Sequence, residues 1–487
     1  MDTKKLFNRK SLNYKVELSN GKKVEYVNLD NAATTTPLLN VEEGVIQELQ
    51  EYGSVHRGAG IKSQISTKKF EDTRETIKKF VNARKEDYAV FVPNTTVGMN
   101  QLAYFFANIK GKIMVSDIEH SSSFLPWIFQ EGRHQNSFQV SLNDALKNNT
   151  NGLNNKIMNL GRKKVITYKT KEDFTFDLAS VEKIFSEQDK KGEDEKIKVL
   201  VVTGASNVTG YKPPIKELAK IAHNYGALIV VDACQLLQHE KIDMIKQDVD
   251  FVVFSGHKMY APFGSGAIVG NKNILDAFWP YQMGGGNFPY ITSKGEVLRY
   301  KNVQAHDPGT PNFVGARSLY YSIKELDKIG VDKISTYEHS LVEKAYSELG
   351  KIKEVVLYVK RNKRGVMDTS LITFNIKHFP CLLVAEILND EYGIGTRAGS
   401  YCVYEFSRRI LNIKSDKEII KAVKEGKTCL IPGSVRASFS LVNKEDDIER
   451  LVRAISEIAK KGVKYYLKKY SHNNITGEYR RKYYGNN

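Results

Sequence analysis

Two polar clusters, each closing an apolar run, carry the chemistry of this sequence. Leu228–Val231 (LIVV) runs into Asp232 and Gln235, and Phe251–Phe254 (FVVF) runs into Ser255, His257 and Lys258. A lysine amine can condense with a carbonyl, and a carboxylate can hold a heterocyclic nitrogen protonated. Pyridoxal phosphate needs that pair: a lysine for its Schiff base and an acid against its pyridine nitrogen. Taken singly, Lys258 also fits a solvated strand end and Asp232 a helix cap. A third cluster follows Ala89–Pro93. There Asn94, Thr95 and Thr96 precede a helical pattern, VGMNQLAYFFA. Free N–H groups and the dipole of a helix start favour a phosphate, although Thr95 also reads as a plain N-cap. A further strand-like run, IMVSD, leads to Glu119 and His120.

These side chains need a sheet to bring them together. The β-branched runs LIVV, FVVF and VLVVT (199–203) read as buried parallel strands, and Lys164–Tyr168 as another. In an open α/β sheet, ligands sit beyond the carboxyl ends of the strands, which is where every cluster falls. Ser66–Asn82 and Phe176–Phe185 read as helices, as does PPIKELAKIAHNYG with a proline at its start. Val314–Leu349 reads as two helices. EVVLYV, SLITFNI and CLLVAEILNDEYGI then give strands, a helix and a turn of a smaller α/β unit. Asn20-Gly21 predicts a small hairpin near the start.

The bulk properties exclude several classes. The 487 residues suit two or three domains, and 41% hydrophobic content supports a sizeable core. No apolar run is long enough to span a bilayer, and the polar, basic Met1–Tyr14 does not read as a signal peptide. The four cysteines, at 234, 381, 402 and 429, form neither a CxxC pair nor a zinc spacing. No metal site is expected, and reduced thiols fit the cytoplasm. The net charge of +17 is spread with the abundant lysine, and no nucleic-acid motif accompanies it.

Several segments, in order along the chain, resemble the cysteine desulfurase and selenocysteine lyase family of fold-type I pyridoxal-phosphate enzymes. They are LDNAATT (29–35), SVHRGAG (54–60), the Asn94-Thr95-Thr96 loop and EHSSSFLPW (119–127). SNVTG (206–210), SGHK (255–258), GGGNF (284–288), GTPN (309–312), RAGSYC (397–402) and the Arg436 strand follow. The resemblance runs from about Asn28 to about Val442, and its RAGSYC segment is similar to the Suf-type branch within the class V aminotransferase group. Four departures stand out. Asn94 replaces a glycine, Ser121 a second histidine and Asn287 an acid, and the bulky VYEF follows Cys402 where small residues or proline are usual.

The resemblance implies a large domain with a mostly parallel seven-stranded sheet flanked by helices, and a smaller α/β C-terminal domain. Expected bounds are 1–26 for a lead-in on the small domain and 27–315 for the large domain. The small domain would span 316–470 and the tail 471–487, with the chain from Tyr465 frayed. Residues 130–163 are expected to be an insertion, mobile or partner-facing. The resemblance assigns Lys258 to the Schiff base, Asp232 to the pyridine nitrogen, and Gln235 to the ring oxygen. Thr95, Thr96, Ser255 and His257 would hold phosphate, and His120 would stack on the ring. Asn207 would lie near the ring oxygen and the substrate carboxylate. Arg436 would bind that carboxylate, with Arg397, His56 and Arg57 on the substrate side. Thr310 would reach the cofactor of a second subunit in a homodimer. Cys402 would be the nucleophile that takes sulfur from L-cysteine and passes it to an acceptor protein, for iron–sulfur cluster assembly or a related pathway. The same cofactor residues would also serve an aminotransferase, an epimerase or a C–S lyase, and a non-enzymatic scaffold is the remaining alternative.

Overall fold

A computed structural model describes residues 3–107, 109–135, 164–359, 361–362, 365, 367–425, 427, 431–473 and 478–482. The expected insertion at 130–163 lies, from residue 136 onward, outside the described residues.

Seven strands make the central sheet. In space they run Tyr88–Val92, Gly266–Gly270, Phe251–Ser255, Leu228–Asp232, Ile197–Thr203, Lys112–Ser116 and Val165–Tyr168. Only Gly266–Gly270 is antiparallel to its neighbours, so the other strands share one direction. Phe251–Ser255 and Gly266–Gly270 are buried at every position, as strands covered by helices on both faces must be. That common direction delivers Asp232, Ser255 and the turn after Val92 to one edge.

The small domain holds a four-stranded antiparallel sheet in the order Val355–Leu357, Leu371–Ile376, Ser434–Ser438, Arg397–Gly399. Cys381–Tyr392 and Glu445–Lys461 cover it, both contributing to its core. The expected boundary at residue 316 falls inside a helix. Phe313–Ile329 buries Leu319, Ile323 and Leu326 in the large-domain core, and Val331–Gly350 crosses between the two. Ile334 packs with the large sheet, whereas Leu341, Val342 and Ala345 pack with the small one.

Both chain ends depart from simple expectations. The Asn20-Gly21 turn joins Lys15–Glu17 to Lys23–Glu25 as the hairpin predicts. Val27–Asn28, however, pairs in parallel with Ile394–Gly395, and Val27 and Leu29 belong to the small-domain core. The chain from Tyr465 is not frayed over its described residues. A helix, Val463–Lys469, follows a left-handed Gly462 (φ 76°), and Tyr470–His472 pairs with Tyr479–Arg481. Burial of Tyr466 and Tyr470 in the small-domain core is the cause, and two aromatic anchors make no periodicity to read.

Candidate active site

The site starts at the turn after Val92. Asn94 caps the helix Thr95–Phe106, its side-chain oxygen accepting from the Val97 N–H at 3.0 Å. Asn94, and not Thr95, is therefore the N-cap, which gives the replacement of glycine a local reason. Thr95 turns instead to the sheet: its N–H donates to Ser255 Oγ at 2.7 Å, and its hydroxyl lies 2.8 Å from the same oxygen. Thr96 Oγ1 is 2.7 Å from Ser122 Oγ, at the start of the helix Ser121–Gln135. Two helix N-termini and three strand ends thus share one polar edge.

Asp232 is held at both oxygens. Cys234 N–H donates to Oδ1 at 3.0 Å, and the Ser123 hydroxyl donates to Oδ2. His120 feels the charges of both this acid and Lys258. Its Nδ1 accepts from Ser122 N–H at 3.1 Å. Burial, reinforced by Lys258, pushes its ring down to about 4, so the ring is neutral at neutral pH. Burial and Lys258 push His257 to about 4 as well. The His257 carbonyl accepts from Thr35 N–H at 3.0 Å and from the Thr34 and Thr35 hydroxyls at 3.1 Å each. Behind the site, Glu119 is fully buried, and burial raises its carboxyl to about 8. Lys258 ends the short turn Gly256–Lys258 and makes no hydrogen bond or ion pair among the described residues. Gln235 already has partners within the chain. Its amide N–H donates to the Ala32 carbonyl at 2.5 Å, and its oxygen accepts from Gln238 at 3.3 Å, so it ties LDNAATT to the sheet.

Arg436 sits on the small-domain strand Ser434–Ser438 and is 3% exposed. Nη1 donates to the Asn207 carbonyl at 2.9 Å and Nη2 to Asp30 Oδ1 at 3.3 Å, while the buried Nε has no partner among the described residues. Arg397 lies opposite Arg436 in the sheet and reaches the other Asp30 oxygen at 3.1 Å. The Asn207 side chain donates to the Tyr401 carbonyl at 2.9 Å. Its amide therefore serves the Cys402 loop in addition to its place beside Arg436.

Cys402 is exposed, and both it and Tyr401 have left-handed backbones (φ 59° and 53°). Ser121 holds the Cys402 carbonyl twice, from N–H at 2.7 Å and from Oγ at 2.6 Å. The helix Tyr404–Ile410 follows, and its Arg409 crosses back to the large domain. Arg409 pairs with Asp117 and donates to Thr170 Oγ1 at 2.8 Å, Thr170 O at 3.1 Å and Lys171 O at 2.6 Å. Of the bulky residues after the cysteine, Val403 is buried in the large-domain core and Tyr404 is 56% exposed.

Three expected residues stand apart in this chain. His56 Nε2 pairs with Glu71 at 2.9 Å, and the Arg57 guanidinium lies against Gly286. Thr310 is exposed and lines a separate cavity of about 400 Å³ with Gly264 and Asn312. Asn287 closes the adjoining glycine turn, donating to Gln282 O and Ala305 O while accepting from Gly284 N–H. An ionised acid there could accept but not donate. Asp30, Ser123, Tyr401 and Arg409 are the site's further residues. Of these, Ser123 alone had a local signal, three residues past His120 on the helix start.

No group of His, Cys, Asp or Glu among the described residues forms a metal site, and no helix is long and apolar enough to cross a membrane. The donor set fits pyridoxal phosphate: a lysine without a partner, a doubly held carboxylate, a neutral histidine, and hydroxyls at two helix N-termini. Fold and site together define a fold-type I pyridoxal-phosphate enzyme. The aminotransferase class-V family model matches residues 27–149 and 175–451. A probable cysteine desulfurase of Halalkalibacterium halodurans is 30% identical over 447 residues, covering 90% of this chain and 94% of its own. A cysteine desulfurase of Escherichia coli is 28% identical over 412 residues, 84% of this chain and 86% of its own. The apo structure of a cysteine desulfurase from Thermococcus onnurineus NA1 superposes with a TM-score of 0.73 at 26% identity, over 93% of this chain and 98% of that one. The chain belongs to the class-V aminotransferases, in their cysteine desulfurase family.

Proposed function

We propose that this chain is a cysteine desulfurase that takes L-cysteine, releases L-alanine and keeps the sulfur as a persulfide on Cys402. One observation carries the reading: an exposed thiol stands on a loop whose carbonyl is held by Ser121, the residue after His120. Pyridoxal phosphate, when bound, supplies an electron sink conjugated to the substrate Cα. Thr95, Thr96, Ser255 and His257 would bind its phosphate, Asp232 its ring nitrogen, Gln235 its ring oxygen and His120 its ring face. Arg436 offers the α-carboxylate a planar, charged donor pair, with Arg397 and Asn207 beside it; His56 and Arg57 are proposed as substrate-side residues on the family resemblance alone. Lys258 moves the Cα proton.

The Cys402 thiolate then attacks the substrate sulfur. An S–S bond forms, the substrate C–S bond breaks with its electron pair left on carbon, and carbon takes a proton. Carbon is reduced by the two electrons that sulfur loses, so cysteine plus thiol gives alanine plus persulfide with no outside oxidant.

The active form is proposed as a homodimer in the cytoplasm, with Thr310 serving the cofactor of the second copy. The exposed Trp279, Met283, Tyr290 and Ile291 in the segment leading to Thr310 support an apolar interface there. A protein acceptor would take the sulfur toward iron–sulfur cluster assembly, and the exposure of Cys402 supports its access.

The test is incubation of the cofactor-loaded protein with L-cysteine and a reductant. Alanine and sulfide in equal amounts are expected, and Cys402→Ala keeps the visible cofactor band while losing both products. Pyruvate and ammonia in place of alanine would assign a lyase. Sulfide release by Cys402→Ala at the parent rate would remove the thiol from the reaction.

A further inference from the structure

The carboxylate-binding arginine and the nucleophile are joined through Tyr401. The Arg436 guanidinium carbon lies 4.9 Å from the centre of the Tyr401 ring. That ring is itself fixed. The Tyr401 hydroxyl donates to the Ser434 carbonyl, two residues before Arg436, and accepts from Ser434 Oγ at 3.2 Å. The Tyr401 carbonyl takes the Asn207 amide at 2.9 Å, and the Asn207 carbonyl takes Arg436 Nη1, also at 2.9 Å. Ring, strand and loop therefore form a closed circuit around one guanidinium. Only 9% of Tyr401 is exposed, and its left-handed backbone continues into Cys402. A non-glycine residue stays in that conformation only where its surroundings over-determine it.

Arg436 needs such a brace. Asp30 holds one nitrogen and Asn207 another, while Nε is buried without a partner among the described residues. Without a flat face beneath it, the guanidinium could rotate toward Asp30, where Arg397 already lies. The ring face attracts the cation without using any of its N–H groups, so those not given to Asn207 and Asp30 remain for a ligand.

We propose that Tyr401 is a positioning residue for amino-acid recognition: its ring holds the Arg436 guanidinium in the plane that receives an α-carboxylate. The inference rests on the reading of Arg436 as the carboxylate site and deepens it. Tyr401 selects substrates that carry a carboxylate on Cα over the corresponding simple amines.

Binding, and not turnover, tests this. The visible band of the cofactor-loaded protein is titrated with L-alanine and with ethylamine, which is alanine without its carboxylate. The parent prefers alanine. Tyr401→Phe keeps the ring face and the preference within about twofold. Tyr401→Leu removes the face and cuts the preference about tenfold, with ethylamine affinity little changed. Should the Leu variant not fold, Tyr401→Met carries the same arm. If the Leu or Met variant keeps the parent's preference, or loses both ligands equally, Tyr401 only fills space and the inference is overturned. If the parent itself shows no preference for alanine, the Arg436 reading falls and this inference with it. The two failures are thus distinguishable.

Discussion

The cofactor edge and the cysteine loop meet at one site but are built differently. The edge is made of regular elements: Asp232 and Ser255 end neighbouring strands, and Thr95 and Thr96 begin a helix. Its bonds are short-range in space because the sheet has already placed the partners. The loop has no regular element under Cys402. Two consecutive left-handed residues turn the chain, and contacts across the domain boundary hold it: Ser121 to Cys402, Asn207 to Tyr401, Arg409 to Asp117. Binding a cofactor calls for positions set by the whole sheet. Delivering a thiol calls for a backbone that a few side chains fix, so the loop is where one substitution can act alone.

The largest effect is expected at the edge. Lys258→Ala removes the covalent link to the cofactor and the Cα base, and product formation falls at least about 10³-fold, read by loss of both the visible band and alanine. Arg409→Ala attacks the loop and leaves Asp117, 1% exposed at its side chain, without its partner. Stability falls by about 3 kcal/mol, and alanine formation falls while the cofactor band persists. Unchanged urea unfolding and unchanged turnover in that variant would show that the loop is anchored elsewhere.

A pH scan separates the regions next. His120 and His257 sit at the edge with folded values of about 4, below the ordinary 6.5. Between those values the unfolded chain binds more protons, so folding of the cofactor-free protein weakens as pH drops from about 6.5 to about 4. Replacing both histidines by asparagine flattens that limb, whereas Cys402→Ala leaves it unchanged. The smallest effect is Asn94→Ala, which loses the cap to Val97 and about 1 kcal/mol of stability in thermal unfolding.

The edge was legible in the sequence because its residues lie next to the strands and helices that carry them. LIVV before Asp232 and FVVF before Ser255 signal both the element and the group it delivers. The brace around Arg436 was not legible. Asp30, Asn207, Tyr401 and Arg436 come from four distant segments, and only the packed domains bring them together. Local chemistry misled in one place. Thr95 looked like a cap, but Asn94, with its short amide, takes that role. The bond from Gln235 to Ala32, across 203 residues, had no local signal. That Phe313–Ile329 joins the large-domain core was not legible, because nothing in its apolar face says which core it meets.

The parallel pairing of Val27–Asn28 with Ile394–Gly395 has a consequence in time. Ala32 N–H donates to Ser438 Oγ at 2.8 Å, across a separation of 406 residues. A ribosome adding about 5–20 residues per second needs roughly 20–80 s to cover that distance. Throughout that interval Val27 and Leu29 have no partner strand, although the large sheet between them and their destination can already close. The small domain thus matures after the large sheet, and the carboxylate site, which needs Asp30 and Arg436 together, forms only once Arg436 has been made.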